Sequence, residues 1–386
     1  MIAFLIILPF LLVYAVFAIW AERKVSAFIH DRLGPMEVGY KGLLQTVADL
    51  VKLLQKEEIV PQAAEKRAFW IAPVIIFVAV FAGFATLPLA PGLIGSPIKM
   101  GVFYMLAIIS LDVIGFIIAG WSSNNKYSIY GAMRAVAQII SYEVPLSLTI
   151  LSVLMISQSL DLQEIATQQG VFWNDEVAVQ AEELIKQGLT SEAQTLLDTK
   201  RNYLFGIKAW GIEVTEIGGI TTWNIVRFPL LFIGLIIFYI SSLAESNRAP
   251  FDIPEAESEL IAGFQTEYSG FRWSMIMLGE YALMLLVAFL GSTLFLGAWN
   301  TPLPNIGTSL PLANWTSGTP GELSGYAWGI FWLFSKAIFW VLTQIWVRFT
   351  YPRLRADQLM YLCWKVLIPF ATIIVLLAGV WRLLMI

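Results

Sequence analysis

Eight stretches of mainly apolar residues, each about as long as a bilayer core is thick, constrain this chain more than any other feature. They run over residues 2–20, 69–90, 101–121, 136–158, 227–244, 274–298, 326–349 and 362–384. A helix rising about 1.5 Å per residue needs about 20 residues to cross a hydrocarbon core roughly 30 Å thick. The polar atoms needed to clothe a soluble globule are missing, since only 13% of residues are charged and 58% are hydrophobic, against roughly 25% charged in an average soluble domain. The expected fold is an all-α polytopic membrane protein with about eight transmembrane helices, forming a single membrane domain over 1–386. The first segment has no basic n-region and no small-residue cleavage site before Glu22, Arg23 and Lys24, so it reads as a retained helix and not as a signal peptide.

Several function classes fall away at once. Cys363 and His30 are each the only residue of their type. That excludes a disulfide framework, an iron–sulfur cluster, a thiolate zinc site and a bis-histidine haem built within this chain. A net charge of −4 gives no basic footprint for nucleic acid. No catalytic redox ligand and no metal site is expected, so any electron chemistry here uses a cofactor held by a neighbour.

Basic residues set the orientation. Arg23, Lys24, Arg32, Lys41, Lys52, Lys56, Lys66, Arg67, Lys126, Arg134, Arg248, Arg272, Arg353 and Arg355 fall in loops after the odd-numbered segments. The loops after even-numbered segments hold Lys99, Lys186, Lys200, Arg201 and Lys208, four of them in one long loop. The positive-inside rule then puts the odd-numbered loops in the cytoplasm and both termini outside, on the periplasmic side of a bacterial inner membrane in preference to a mitochondrial one. The cytoplasmic loop over 21–68 contains an amphipathic helix. Its Leu43, Leu44, Val47, Leu50, Val51 and Leu54 share one face, which suits an interfacial helix or one that lines a ligand or a partner. The polar extracytoplasmic insertion over 161–226 suggests a helix from Val179 to Lys186, a stop at Gly188, and a capping box of Ser191 and Gln194.

Ionisable side chains inside membrane helices are costly and normally face a protein interior or a water path. Asp112, Glu143, Glu280 and Lys336 lie deep by position, and Pro145 disturbs the backbone beside Glu143. A buried Lys–carboxylate pair would fix packing, but three acids exceed what one lysine balances, which favours a proton or ion path. The cytoplasmic acidic loop over 245–273 is denser still, with Glu245, Asp252, Glu255, Glu257, Glu259 and Glu267. A helix starting near Asp252 would put Asp252, Glu255 and Glu259 on one face as a coupled titrating set.

Five strings carry a resemblance. They are AERK at 21–24, RLGPMEVGYKGLLQTVADLVKLLQKE at 32–57, GAMRAVAQIISYEVP at 131–145, AESNRAPFDIPEAESELIAGFQTEYSG at 244–270 and YPRLRADQLMYLCWK at 351–365. Together with all eight segments, they resemble the H-type membrane subunit of respiratory NADH:quinone oxidoreductase (complex I), the family of mitochondrial NADH dehydrogenase subunit 1. The insertion over 161–226 is longer than the family pattern, and Asp112 lies outside the matching strings.

The resemblance implies a proton-pumping translocase subunit that forms a quinone chamber and couples quinone reduction to ion movement. By position, Arg23, Arg32, Asp49, Arg248 and Phe251 would line or shape the chamber. The coupling path would use Glu143, Glu245, Asp252, Glu255, Glu257, Glu259, Glu267 and Glu280, to which the depth argument adds Lys336 and Asp112. Quinone would be the substrate, while FMN and the iron–sulfur clusters would reside in partner subunits. Implied partners are the peripheral-arm subunits at the quinone site, small membrane subunits, antiporter-like pumping subunits and the lipid bilayer. The alternatives are the equivalent subunit of a membrane-bound hydrogenase or another complex I-like pump, and a stand-alone ion-coupled transporter. Against the transporter, no internal repeat of the kind common in that class is visible.

Overall fold

A computed structural model of the chain describes residues 2–187, 189–200, 202–207, 211–254, 257–306, 310–317 and 321–385. Helix α1 (Ile2–Ile29) leads through a turn to the short α2 (Gln45–Gln55) and then α3 (Lys66–Gly83). The third segment is divided into α4 (Gly101–Ile109) and α5 (Asp112–Ser122), and α6 (Lys126–Ser157) follows. The polar insertion holds α7 (Leu162–Thr167), α8 (Trp173–Lys186), α9 (Thr190–Lys200), α10 (Val214–Ile217) and α11 (Asn224–Arg227). After it come α12 (Leu230–Glu245), α13 (Glu257–Leu260), α14 (Gly270–Phe295), α15 (Leu312–Ser317) and α16 (Leu323–Thr350). The chain closes with α17 (Ala356–Tyr361), a wide turn over Leu362–Leu367, and α18 (Ile368–Met385).

The protein is an all-α polytopic membrane protein. Among the described residues six helical stretches are long and apolar enough to span a bilayer: Lys66–Thr86, Gly101–Ser122, Lys126–Ser157, Gly270–Phe295, Leu323–Thr350 and Ala356–Leu384. Of the other two expected spans, α1 is a single helix of 28 residues and α12 has only 16. At the centre stands α14, buried without interruption from Gly279 to Phe295. Such a helix is apolar all round because protein surrounds it. Its neighbours present aromatic rings: Phe84 and Phe334 meet Phe289, and Phe238 meets Phe295 and Trp340.

The shortness of α12 has a structural cause. Gln138 Nε2 donates to the Ala244 carbonyl at 2.8 Å, and Gln138 lies just over three turns inside α6, about 18 Å from its start. The chain therefore leaves α12 within the bundle, and the acidic loop runs back along α6 towards the surface. Successive contacts are Arg134 with Glu259, Ser128 with the Phe264 carbonyl, and Asn125 with Glu267. At Gly131 a Cβ would come within 2.6 Å of the Gly263 Cα, so only glycine lets the loop lie this close. Irregular backbone at membrane depth is tolerated only where protein covers it. Here Ser246, Asn247, Arg248, Phe251 and Ile253 are all buried.

Two local expectations are corrected. No helix begins at Asp252; residues 251–254 are irregular and the helical turn α13 starts at Glu257. In the insertion α9 starts at Thr190, so Ser191 and Gln194 lie inside its first turns and do not cap it; Gly188 falls outside the described residues. Gln169 ties this insertion to the bundle, donating to the Thr293 carbonyl and accepting from the Gly297 and Asn224 N–H groups.

Candidate functional site

The helices α1, α2, α14 and α16 leave a cavity of about 850 Å³ between them. Its walls are mostly apolar, among them Leu12, Val16, Ile19, Leu50, Leu53, Phe77 and Met277. The amphipathic α2 forms where the sequence expected it, but its apolar stripe is shared. Leu50 faces the cavity, while Leu44, Val47 and Val51 remain exposed on this chain. Polar groups enter at two levels. At the rim Arg23 Nη1 pairs with Asp49 Oδ2 at 2.6 Å, Lys52 lies 3.7 Å from the same carboxylate, and Arg32 reaches Ser26 Oγ at 3.3 Å. Partial burial raises the proton affinity of Asp49, but the Arg23 contact and charge, with Gln45 and Lys52, hold it below the usual carboxylate range.

Deeper lies a denser cluster. Glu22 is buried on α1 and pairs with Arg348 of α16. It also accepts from Tyr281 Oη of α14 at 2.5 Å and lies 3.5 Å from Arg248 Nη1. The Arg248 guanidinium sits over the Tyr281 ring at 4.2 Å. Glu22, Tyr281 and Arg348 all line the cavity. Of the five expected chamber residues, Arg23, Arg32 and Asp49 line the cavity, while Arg248 lies behind Glu22. Phe251 lies elsewhere, packed edge-on against Tyr142 at 5.3 Å. Sequence reasoning missed Glu22, Tyr281 and Arg348 as site residues. The available signal was Glu22 inside AERK, which reads only as a helix boundary until its partners are known.

The expected coupled set of loop acids is not assembled as expected. Asp252 is nearly buried and pairs with Arg353 at 2.9 Å, whereas Glu259 is exposed and pairs with Arg134 at 2.5 Å. Glu255 lies outside the described residues, and Glu257 is described only as the start of α13. The Arg134 guanidinium keeps the Glu259 carboxyl below its ordinary range. Burial pushes Asp252 the other way, upward, and Arg353, Arg348 and Arg248 only partly offset it. A consequence is testable on the assembled complex. Glu259 stays ionised through neutral pH, so Glu259→Gln is expected to leave the pH profile of quinone reduction unchanged between about pH 6 and 9. Asp252→Asn removes the acid whose ionisation is moved towards neutral, and is expected to flatten the acid limb. Steady-state rates across that range separate the two.

Loop residues and membrane acids do meet elsewhere. Gln265 Nε2 donates to Glu280 Oε1 at 3.0 Å, both residues being buried. Glu143 contacts Ser110 Oγ, and Glu143 and Glu245 face one small cavity. Lys336 is not brought to any of these. Its ammonium donates to the carbonyls of Leu296, Ala298 and Asn300 at 2.6–2.8 Å and lies 4.4 Å over the Trp223 ring. Among the described residues, neither a carboxylate paired with Lys336 nor a lysine within the acid path is found.

The profile of the NADH dehydrogenase family matches residues 1–195 and 203–379, with the break inside the polar insertion. The chain is 58% identical over 377 residues to H subunit 2 of the NADH-quinone oxidoreductase of Cytophaga hutchinsonii, covering 98% of this chain and 97% of that protein. It is 44% identical over 375 residues to the NADH-quinone oxidoreductase H subunit of Chlorobaculum parvum, covering 97% and 90%. The H subunit of the same enzyme from Chlorobium luteolum is likewise 44% identical over 377 residues, with 97% and 87% covered.

Proposed function

The chain belongs to the NADH dehydrogenase family and is a membrane subunit of an NADH:quinone oxidoreductase of the complex I type; from this we propose that its cavity receives the quinone and that its buried acids carry the resulting charge change into the membrane. The observation that carries the reading is the cavity itself. About 850 Å³ of mainly apolar space, with arginines and a tyrosine at defined depths, suits an isoprenoid tail and a polar ring that must pass one another's environment. The redox centre that supplies electrons belongs to a partner subunit. Two electrons added to a quinone require two protons or leave a dianion. The Glu22–Arg348–Arg248–Tyr281 cluster stands where such charge would be felt, and the loop from Ser246 to Ser269 joins that cluster to Glu280. A change in charge at one end then biases the ionisation or conformation of the other, which is a population shift driven by differential electrostatics.

Arg23→Ala tests the chamber. The Arg23–Asp49 pair is half exposed, so losing it costs assembly only about 0–1 kcal/mol. A charged hydrogen bond to the travelling head group is worth about 1.5–3 kcal/mol. Quinone reduction is expected to fall about tenfold or more, while electron transfer from NADH to a water-soluble acceptor stays unchanged. Equal loss of both activities would remove the chamber reading.

The same proposal places α2 and the loop over 246–269 on the cytoplasmic side, against peripheral-arm subunits, with both termini and the insertion opposite. Ile185 is exposed on α8, so an Ile185→Cys variant is expected to react with a membrane-impermeant maleimide only from the periplasmic side. Labelling from the cytoplasm alone reverses the orientation.

A further inference from the structure

Helix α12 runs from the polar insertion to the acidic loop, and at its insertion end two arginines meet without an acid between them. Arg227 closes α11, and Phe228 and Pro229 separate it from the start of α12. It is 5% exposed, and its guanidinium carbon lies 4.8 Å from the centre of the Phe228 ring. Its Nε is enclosed and has no acceptor. Among the described residues, the charge that acts on it is Arg382, in the last turn of α18, and no carboxylate does. Gly206 shows how the two helix ends meet. A Cβ there would come within 2.8 Å of Phe228 Cε1 and 3.4 Å of Trp381 Nε1. The ring under Arg227 and the indole beside Arg382 in the chain therefore press on one glycine of the insertion. The Trp381 Nε1 is also enclosed without a partner.

A buried guanidinium cannot shed its charge by losing a proton, as a carboxylate can by gaining one, because arginine stays protonated in proteins. Two of them this close need negative charge from outside the chain. Guanidinium and indole nitrogens only donate, so the fitting ligand only accepts, which means a carboxylate or a phosphate. The surface around the pair selects a phosphate that carries apolar chains. On α18, Ile373, Leu376, Leu377, Val380 and Leu383 are exposed. Their spacings of three and four make a single apolar stripe that ends beside Arg382. On α12, Phe232, Ile233 and Ile236 are exposed in the same way just after Arg227. Trp381 has an apolar ring and a polar N–H, the residue type that sits at head-group depth in a bilayer. In the orientation proposed above, basic residues on the insertion side oppose the positive-inside trend, so a buried pair there needs a local reason.

We propose that Arg227 and Arg382, with the Trp381 N–H, hold the phosphate of an anionic phospholipid whose acyl chains lie along the exposed stripes of α12 and α18. A zwitterionic lipid offers the same phosphate but brings an ammonium that the two guanidinium groups repel. The site stands at the opposite end of α12 from the acidic loop, so it is separate from the quinone and proton reading and does not depend on it.

The test uses the purified, assembled complex in phosphatidylcholine vesicles that contain a small fraction of phosphatidylglycerol with a photoreactive diazirine near the head of one acyl chain. After irradiation, the labelled peptides are mapped by mass spectrometry in the wild type, Arg227→Gln, Arg382→Gln and the double variant. Label is expected on the peptides over 228–237 and 373–385. It is expected to fall about fivefold for each arginine removed, while label on the other subunits stays unchanged as the internal control. Unlabelled phosphatidylglycerol is expected to compete, and excess phosphatidylcholine or inorganic phosphate is not. Arg382 is half-buried, so Arg382→Gln decides the matter if the more enclosed Arg227→Gln does not accumulate. Undiminished label in Arg382→Gln overturns the site and leaves an ordinary lipid-facing surface. Competition by inorganic phosphate as strong as by phosphatidylglycerol overturns the lipid in favour of a free ion. Absence of label here in the wild type also overturns it, and a carbodiimide cross-link from Arg382→Lys to a neighbouring subunit would then assign the pair to that subunit's carboxylate.

Discussion

Replacing Glu22 by alanine is expected to cost the protein about 3–5 kcal/mol and most of its accumulation in the membrane, the range seen when one partner of a buried ion pair is removed. Glu22 is 7% exposed, and the Arg248 side chain is 7% exposed beside it. Without the carboxylate, the Arg248 and Arg348 guanidinium groups lose the negative charge they share, and the Tyr281 ring and hydroxyl and the charge of Asp252 compensate only in part. The loss therefore comes mainly from stranded positive charge, less from the contacts deleted. Two measurements check it: subunit content of the membranes and the midpoint of thermal inactivation of the purified complex. In Glu22→Ala/Arg348→Ala the second charge is gone as well, so stability is expected to return in part, as coupled neighbours do in a double-mutant cycle. Wild-type content and midpoint in the single variant would mean that water already balances these charges.

How the sequence foretold the fold, and where it did not, follows from the range of the forces involved. Apolar length is a local property. The spans, the amphipathic α2 and the deep positions of Asp112, Glu143 and Glu280 could all be read without knowing any contact. The register of the acidic loop could not. Asp252 and Glu259 lie three and four residues from Glu255, a spacing that suggests one helical face. Yet each carboxylate is held by an arginine far away in the chain, Arg353 and Arg134. Those two pairings and the close seat at Gly131 hold an irregular path where local spacing suggested a helix. Helix α12 ends at Glu245, next to the end that hydropathy set at 244, but starts three residues late, at Leu230 after Phe228 and Pro229; the segment after it is covered by protein and needs no helix to satisfy its backbone. Glu22 looked like the polar end of a span for the same reason: hydropathy reports what a segment is made of, and says nothing about which residues close over it.

Lys336 shows this limit most sharply and leads to the second large effect. A lysine in mid-helix invites a search for a carboxylate, but its three partners are main-chain carbonyls just beyond the end of α14. Leu296 caps α14 and the other two carbonyls belong to the turn after it; main-chain oxygens there lie beside the negative end of the helix dipole and lack intrahelical donors, so an ammonium satisfies both needs. Lys336 thus acts as a tethered cation fastening α16 to the turn over 296–300, with the Trp223 ring as a further lining. Lys336→Met keeps most of the volume and leaves the three acceptors without a donor. At about 1–3 kcal/mol for each buried group left unsatisfied, the expected loss is several kcal/mol, reduced to the extent that water enters. The geometry also states what should not change. Among the described residues no carboxylate is bonded to this ammonium, so the molecules that do assemble are expected to reduce quinone and take up protons within about twofold of the wild type, at a thermal midpoint well below it. Lys336→Met complexes of normal stability that had lost proton uptake would return Lys336 to the acid path, and would require the carbonyl cage to open during turnover.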